Sequence, residues 1–162
     1  MKRSILVLFS LLLLSCQSNA QKKTKEKTYP ITKTDAEWRA QLSEMAYHVL
    51  RQAGTERAFS GPLNKFYEEG TYVCGGCQTP LYESAYKYDS KSGWPSFDRG
   101  IDKNLEYDVD YKIGYARTEL KCKMCGGHLG HMFEDGPRNT TGKRHCINSA
   151  ALTFISKEDG AQ

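Results

Sequence analysis

Cysteine is the residue type here whose spacing most directly implies chemistry, and the chain of 162 residues holds six of them. Four form two Cys-x-x-Cys pairs, Cys74-Gly-Gly-Cys77 and Cys122-Lys-Met-Cys125, with 44 residues between the pairs. Glycine inside or just after each pair permits a tight turn that aims two sulfurs at one point. Two such knuckles supply the four thiolates of a tetrahedral Zn²⁺ site, and a closed four-sulfur shell is structural because no position is left for a substrate. Two disulfides, a redox-active pair and a nucleic-acid zinc ribbon are the competing readings. A thioredoxin-like dithiol belongs where a strand gives way to a helix in an α/β pattern, and neither pair lies in one.

Cys146 is the odd thiol, within Arg144-His-Cys-Ile-Asn-Ser149. Free cysteine is commonly a small buried hydrophobe. A cationic Arg144 two residues away and an adjacent His145 favour the thiolate, the reactive form. On these neighbours alone, nucleophile and core residue both stay open.

Something must hold these groups in place. Thr34-Asp-Ala-Glu37 has the form of a capping box, and Trp38, Leu42, Met45 and Val49 recur behind it at helical spacing until Gly54. One helix over 34–53, with an apolar stripe facing a larger body, is expected. Beyond Gly61-Pro62 the texture changes to short segments punctuated by glycine. Tyr72-Val73, Leu81-Tyr82, Tyr86–Tyr88, Tyr107–Tyr111, Arg117–Leu120 and Leu152–Ile155 read as strands. The expectation is a mainly β domain over 34–162, two antiparallel sheets arranged as a sandwich or barrel, with an N-terminal helical arm.

The ends carry a different message. Lys2 and Arg3 precede an apolar run from Ile5 to Leu14 that is too short for a membrane-spanning helix but suits a secretory signal. The run closes on Leu13-Leu14-Ser15-Cys16, which resembles the lipobox of bacterial lipoproteins, so residues 1–16 read as a signal ending at a lipidated Cys16. Residues 17–33, lysine-rich and poor in large apolar groups, read as a disordered tether. The net charge of +4 is local to this end: residues 1–33 hold seven basic residues and one acidic, while 34–162 hold sixteen against eighteen, a balance of −2. Such a domain offers no electrostatic footprint for nucleic acid.

From Trp38 to Phe154 the chain resembles the methionine-R-sulfoxide reductase B family. The resemblance lies in Gly54-Thr-Glu-Arg-Ala-Phe-Ser-Gly61, Tyr72-Val-Cys-Gly-Gly-Cys77, Ser92-Gly-Trp-Pro-Ser-Phe97, Arg117-Thr-Glu119, His128-Leu-Gly-His-Met-Phe-Glu-Asp-Gly-Pro137 and Arg144-His-Cys-Ile-Asn-Ser-Ala-Ala151. It implies structural zinc on Cys74, Cys77, Cys122 and Cys125, away from an active site built on Cys146. The implied reaction is thiol-dependent reduction of the R epimer of methionine sulfoxide in proteins; each sulfoxide epimer has its own enzyme. Cys146 would attack the sulfoxide sulfur, with His131, or else His128, protonating the departing oxygen. Arg144 would stabilise the thiolate and Asp135 would orient Arg144 or a histidine. Trp94 would receive the substrate methyl and Asn148 would hold the pocket, with Phe97 and Phe133 as walls or packing.

Two positions depart from the family pattern. Ser92 stands where many members carry a resolving cysteine, and His145 stands where tyrosine is usual. With no second thiol to spare, the Cys146 sulfenic acid would be reduced by an external thiol, a small molecule or a thioredoxin-like protein. A monomer anchored in the cell envelope and repairing oxidised envelope proteins is the resulting expectation; the competing one is a zinc-stabilised lipoprotein that binds without catalysing.

Overall fold

A computed structural model describes residues 27–158. The signal, Cys16 and most of the tether lie outside the described residues. The last part of the segment expected as a tether does not hang free. Lys27 Nζ lies 2.7 Å from Glu106, the Tyr29 ring covers Gly126, and the Ile31 amide donates to the Met124 carbonyl at 2.8 Å. Gly126 has φ +71°, and a Cβ there would lie 2.3 Å from the Tyr29 ring, so both its conformation and its neighbour require glycine.

The expected single helix is two, α1 (Asp35–Gln41) and α2 (Glu44–Gln52). Thr34 and Glu37 form the capping box of α1. Leu42 is extended, and the Ser43 hydroxyl accepts from the Ala46 amide to start a second helix. A serine between two helical stretches is a cap as readily as an interior residue, and here the cap wins. The break rotates the apolar stripe: Trp38, Val49 and Leu50 are buried, whereas Met45 faces solvent.

Among the described residues nine strands form two antiparallel sheets. The smaller has the order β2 (Pro80–Glu83), β1 (Gly70–Cys74), β9 (Leu152–Ser156). The larger has the order β3 (Lys87–Tyr88), β4 (Ser96–Phe97), β8 (Arg144–Ile147), β7 (His128–Phe133), β6 (Arg117–Cys122), β5 (Leu105–Asp110). The core lies between them. Phe97 stacks on Tyr82 at 4.4 Å and meets Tyr72 edge-on at 5.1 Å, with Leu81, Leu120, Leu129 and Ile147 filling in around them. Phe97 is therefore core rather than a wall of any site. The helices close one side of this body, with α2 packed on β7 and on the turn at 149–151. No helix among the described residues is long and apolar enough to cross a membrane.

Candidate active site

Strand register decides which side chains meet. In the larger sheet Ser96, Cys146 and His131 are direct cross-strand partners, so they share a face. Phe97, His145 and Met132 occupy the next register position and face the other way. Adjacency in sequence is thus separation in space: His145 points into the core, 3.4 Å from the Tyr82 hydroxyl, and burial pushes its pKa down to about 4. A neutral imidazole on the opposite face cannot favour the Cys146 thiolate, contrary to the sequence reading.

Cys146 lines a cavity of about 120 Å³ together with Thr55, Trp94, Arg117, Gly130, His131, Phe133 and Asn148. Gly130 belongs there because a Cβ would lie 2.0 Å from the Cys146 carbonyl oxygen. Burial pushes the Cys146 thiol above its ordinary 9.0, opposed by the Arg144 guanidinium and by the Ser92 hydroxyl 3.9 Å from the sulfur. Arg144 is itself fixed by Asp135, donating from Nε and from a terminal nitrogen to the two carboxylate oxygens at 2.8 and 2.9 Å, and it stacks over Phe133 at 4.4 Å.

His131 Nε2 lies 2.8 Å from Asp110, whose same oxygen accepts from Arg117 at 2.6 Å. The Lys112 amide, His131 and Arg117 together hold Asp110 well below the usual carboxylate range despite its burial. Burial lowers the His131 pKa from 6.5, the Asp110 bond opposing the shift. The two histidines are not equivalent. The register of β6 against β7 shifts between Leu120 and Lys121, and His128 lies beyond the shift, outside the cavity wall. It stands behind His131 with ring centres 5.3 Å apart and its Nδ1 2.5 Å from Glu119.

One residue absent from the sequence reading wires the pocket together. The buried Glu56 accepts the Ser149 and Ala150 amides on its carboxylate at 2.6 and 2.9 Å. Its own amide donates to Asn148 Oδ1 at 3.0 Å and its carbonyl accepts Trp94 Nε1–H at 3.2 Å. The Asn148 amide group donates onward to the Leu129 carbonyl at 2.9 Å. Trp94 and Asn148 are therefore aimed by a loop some forty residues before the first of them. Glu56 lies in a stretch used for the resemblance, but no local pattern marks it as structural.

The four remaining described cysteines converge elsewhere. Their sulfurs all lie within 4.8 Å of one another, with Cys74 to Cys125 at 3.7 Å and Cys77 to Cys122 at 3.5 Å. These spacings exceed an S–S bond and approach the roughly 3.8 Å edge of a tetrahedron with Zn–S near 2.3 Å. Cysteine thiolates at tetrahedral spacing fit zinc, and the four together fill its shell. The cluster is remote from the cavity: Arg117 and Cys122 sit at opposite ends of β6, about 16 Å apart along the strand.

A two-sheet domain stapled by four cysteines, with a fifth in an aromatic cavity beside a histidine and an arginine, is the architecture of a thiol-dependent oxidoreductase. The comparisons narrow this. The SelR domain model matches residues 42–156. Curated relatives named peptide methionine sulfoxide reductase MsrB include that of Burkholderia lata, 48% identical over 135 residues, which are 83% of this chain and 94% of the relative. That of Burkholderia multivorans is 47% identical with the same coverage of both chains. The chain belongs to the methionine-R-sulfoxide reductase B family.

Proposed function

We propose that this chain reduces R-methionine sulfoxide in polypeptides to methionine through a Cys146 sulfenic acid. The observation that carries the reading is the meeting of Cys146, His131 and Trp94 in one small, largely apolar cavity. That cavity suits an unbranched side chain. The substrate methyl rests against the Trp94 ring, which its hydrogen bond to Glu56 holds in place. The Cys146 thiolate attacks the electrophilic sulfoxide sulfur while His131 gives a proton to the oxygen. With Nε2 on Asp110, the other ring nitrogen is left for the substrate. Oxygen ends on Cys146 as the sulfenic acid and methionine leaves. A binding lipoprotein without catalysis would leave these three groups assembled to no purpose.

Ser92 has no sulfur to offer, so an external thiol resets Cys146. The domain acts as a monomer, and its place is the cell envelope, anchored through Cys16, where it repairs oxidised envelope proteins; the N-terminal sequence supports this placement. One equivalent of sulfoxide without reductant should release one methionine per chain and leave a trappable sulfenic acid on Cys146, read by intact mass spectrometry. A disulfide from Cys146 to any of the four clustered cysteines would refute this route.

A further inference from the structure

A second space lies beside the Cys146 cavity. Besides the cavity, a groove of about 500 Å³ runs past Arg144 and Ser92, walled by Tyr88, Asp89, Ser90 and Asp135. Strand order sets it against the cavity: β8 lies between β7, which carries His131, and β4 and β3, which carry Ser96 and Tyr88. The stacked Arg144 and Phe133 stand between the two spaces, Arg144 lining the groove and Phe133 the cavity. The groove floor is firmly shaped. The Lys91 amide donates to Asp89 at 2.9 Å, and the Ser90 hydroxyl lies 2.8 Å from that of Ser92 and 2.6 Å from that of Ser96. The Ser92 hydroxyl, on the groove wall, lies 3.9 Å from the Cys146 sulfur and is the group that separates the two. The Tyr88 hydroxyl oxygen is buried and has no hydrogen-bond partner among the described residues. It is a phenol donor with no acceptor of its own among the described residues.

We propose that this groove is the entry for the reducing thiolate, with Tyr88 and Arg144 as its binding groups. The proposal rests on the sulfenic-acid route above. Displacement at sulfur is in line, with nucleophile and leaving group on opposite sides. The sulfenic oxygen arrives from the cavity side, where His131 stands, so the attacking sulfur must come from the groove side. There the Tyr88 hydroxyl donates to the thiolate and the Arg144 guanidinium offsets its charge. Burial pushes Tyr88 up to about 12, which keeps it a donor at working pH. The entering thiolate forms an S–S bond to Cys146 as the S–O bond breaks. The departing hydroxide takes a proton from His131 and leaves as water. A second thiolate attacks the reductant's sulfur in the mixed disulfide, releasing the Cys146 thiolate and the reductant as its disulfide. Two thiols are oxidised and one sulfenic acid is reduced.

The test separates the half-reactions. Sulfenic acid is first formed with one equivalent of sulfoxide and the methionine counted; 2-mercaptoethanol, glutathione or a reduced thioredoxin is then added and loss of the sulfenic acid followed. Tyr88→Phe should slow the second step at least fivefold with either small thiol, at full methionine yield. Asp89→Asn keeps the turn and removes a negative charge at the groove wall. It should raise the glutathione rate relative to 2-mercaptoethanol at least twofold at low salt, because glutathione is the more anionic. A thioredoxin rate that follows the same variants shows that a protein thiol uses the same entry; one that ignores them confines the groove to small thiols. Full methionine yield followed by wild-type rates and thiol preference in both variants overturns the proposal alone. A wild-type chain that releases no methionine overturns the sulfenic-acid route beneath it.

Discussion

At the scale of single residues, the site separates two titrations that the reaction needs in the opposite order. Burial raises the Cys146 thiol above 9.0 and lowers the His131 imidazole below 6.5, yet the proposed attack needs the thiolate and the proposed protonation of oxygen needs the imidazolium. With the ordinary 9.0 and 6.5 that pair of states is about one chain in 300, and the shifts make it rarer. Its population is constant between the two pKa values and falls outside them. The pH profile of kcat/KM should therefore show a plateau between 6.5 and 9.0, with the midpoint of an acid limb from His131 below 6.5 and that of an alkaline limb from Cys146 above 9.0. Two limbs meeting within that window would show that these groups do not titrate as a nucleophile–acid pair. Cys146 was legible because cysteine arithmetic leaves it over once the two pairs and Cys16, at the end of the apolar run, are taken. Asp110, which holds His131, was not: it lies 21 residues earlier in a different strand, and only the hairpin of β5 and β6 folds it back.

At the scale of elements, the strands that alternate or are rich in aromatic and branched residues were readable, and those that carry the chemistry were not. β1, β2, β5, β6 and β9 announce themselves by composition. β4 and β8 are short, and β4, β7 and β8 together hold serine, glycine, histidine, arginine and cysteine, chosen for the site rather than for a pleated surface. Their registers are what bring Ser96, Cys146 and His131 together, so Cys146, His131 and Trp94 could be named from motifs while their geometry could not. The helix break at Ser43 was hidden for a related reason, since in the sequence the spacing of Trp38, Leu42, Met45 and Val49 runs across it although Met45 ends up exposed. Glu56 shows how a loop fixes elements. Glu56→Ala leaves the Ser149 and Ala150 amides buried without their acceptor, at about 1–3 kcal/mol each. Urea unfolding should show a loss on the order of 3 kcal/mol, and kcat should fall with it because Trp94 and Asn148 lose their fixed loop. A change under about 1 kcal/mol would mean that water replaces the carboxylate at little cost.

At the scale of the whole molecule, chemistry and stapling occupy opposite ends of one strand. The four-cysteine cluster ties β1 to the end of β6, and the N-terminal segment from Lys27 to Ile31 crosses the same end. Metal binding in such a site is folding energy, but a domain with its own core depends on it less than a zinc finger does. A loss of about 4 kcal/mol on stripping zinc would lower Tm by roughly 10–15 °C, and Cys74→Ser or Cys122→Ser should lower metal content and Tm together. An unchanged Tm in chain shown to be metal-free would deny the cluster its structural role. The central claim remains that this cavity turns over one epimer of methionine sulfoxide on Cys146. The most direct measurement is turnover of resolved R and S peptide sulfoxides, with dithiothreitol as reductant, by the chain from residue 27 onward and by its Cys146→Ser variant. The R epimer should be reduced at least about a hundredfold faster than the S epimer, and neither by the folded variant; equal rates on both epimers, or an active Cys146→Ser chain, would show that Cys146 in this cavity is not the epimer-selective nucleophile.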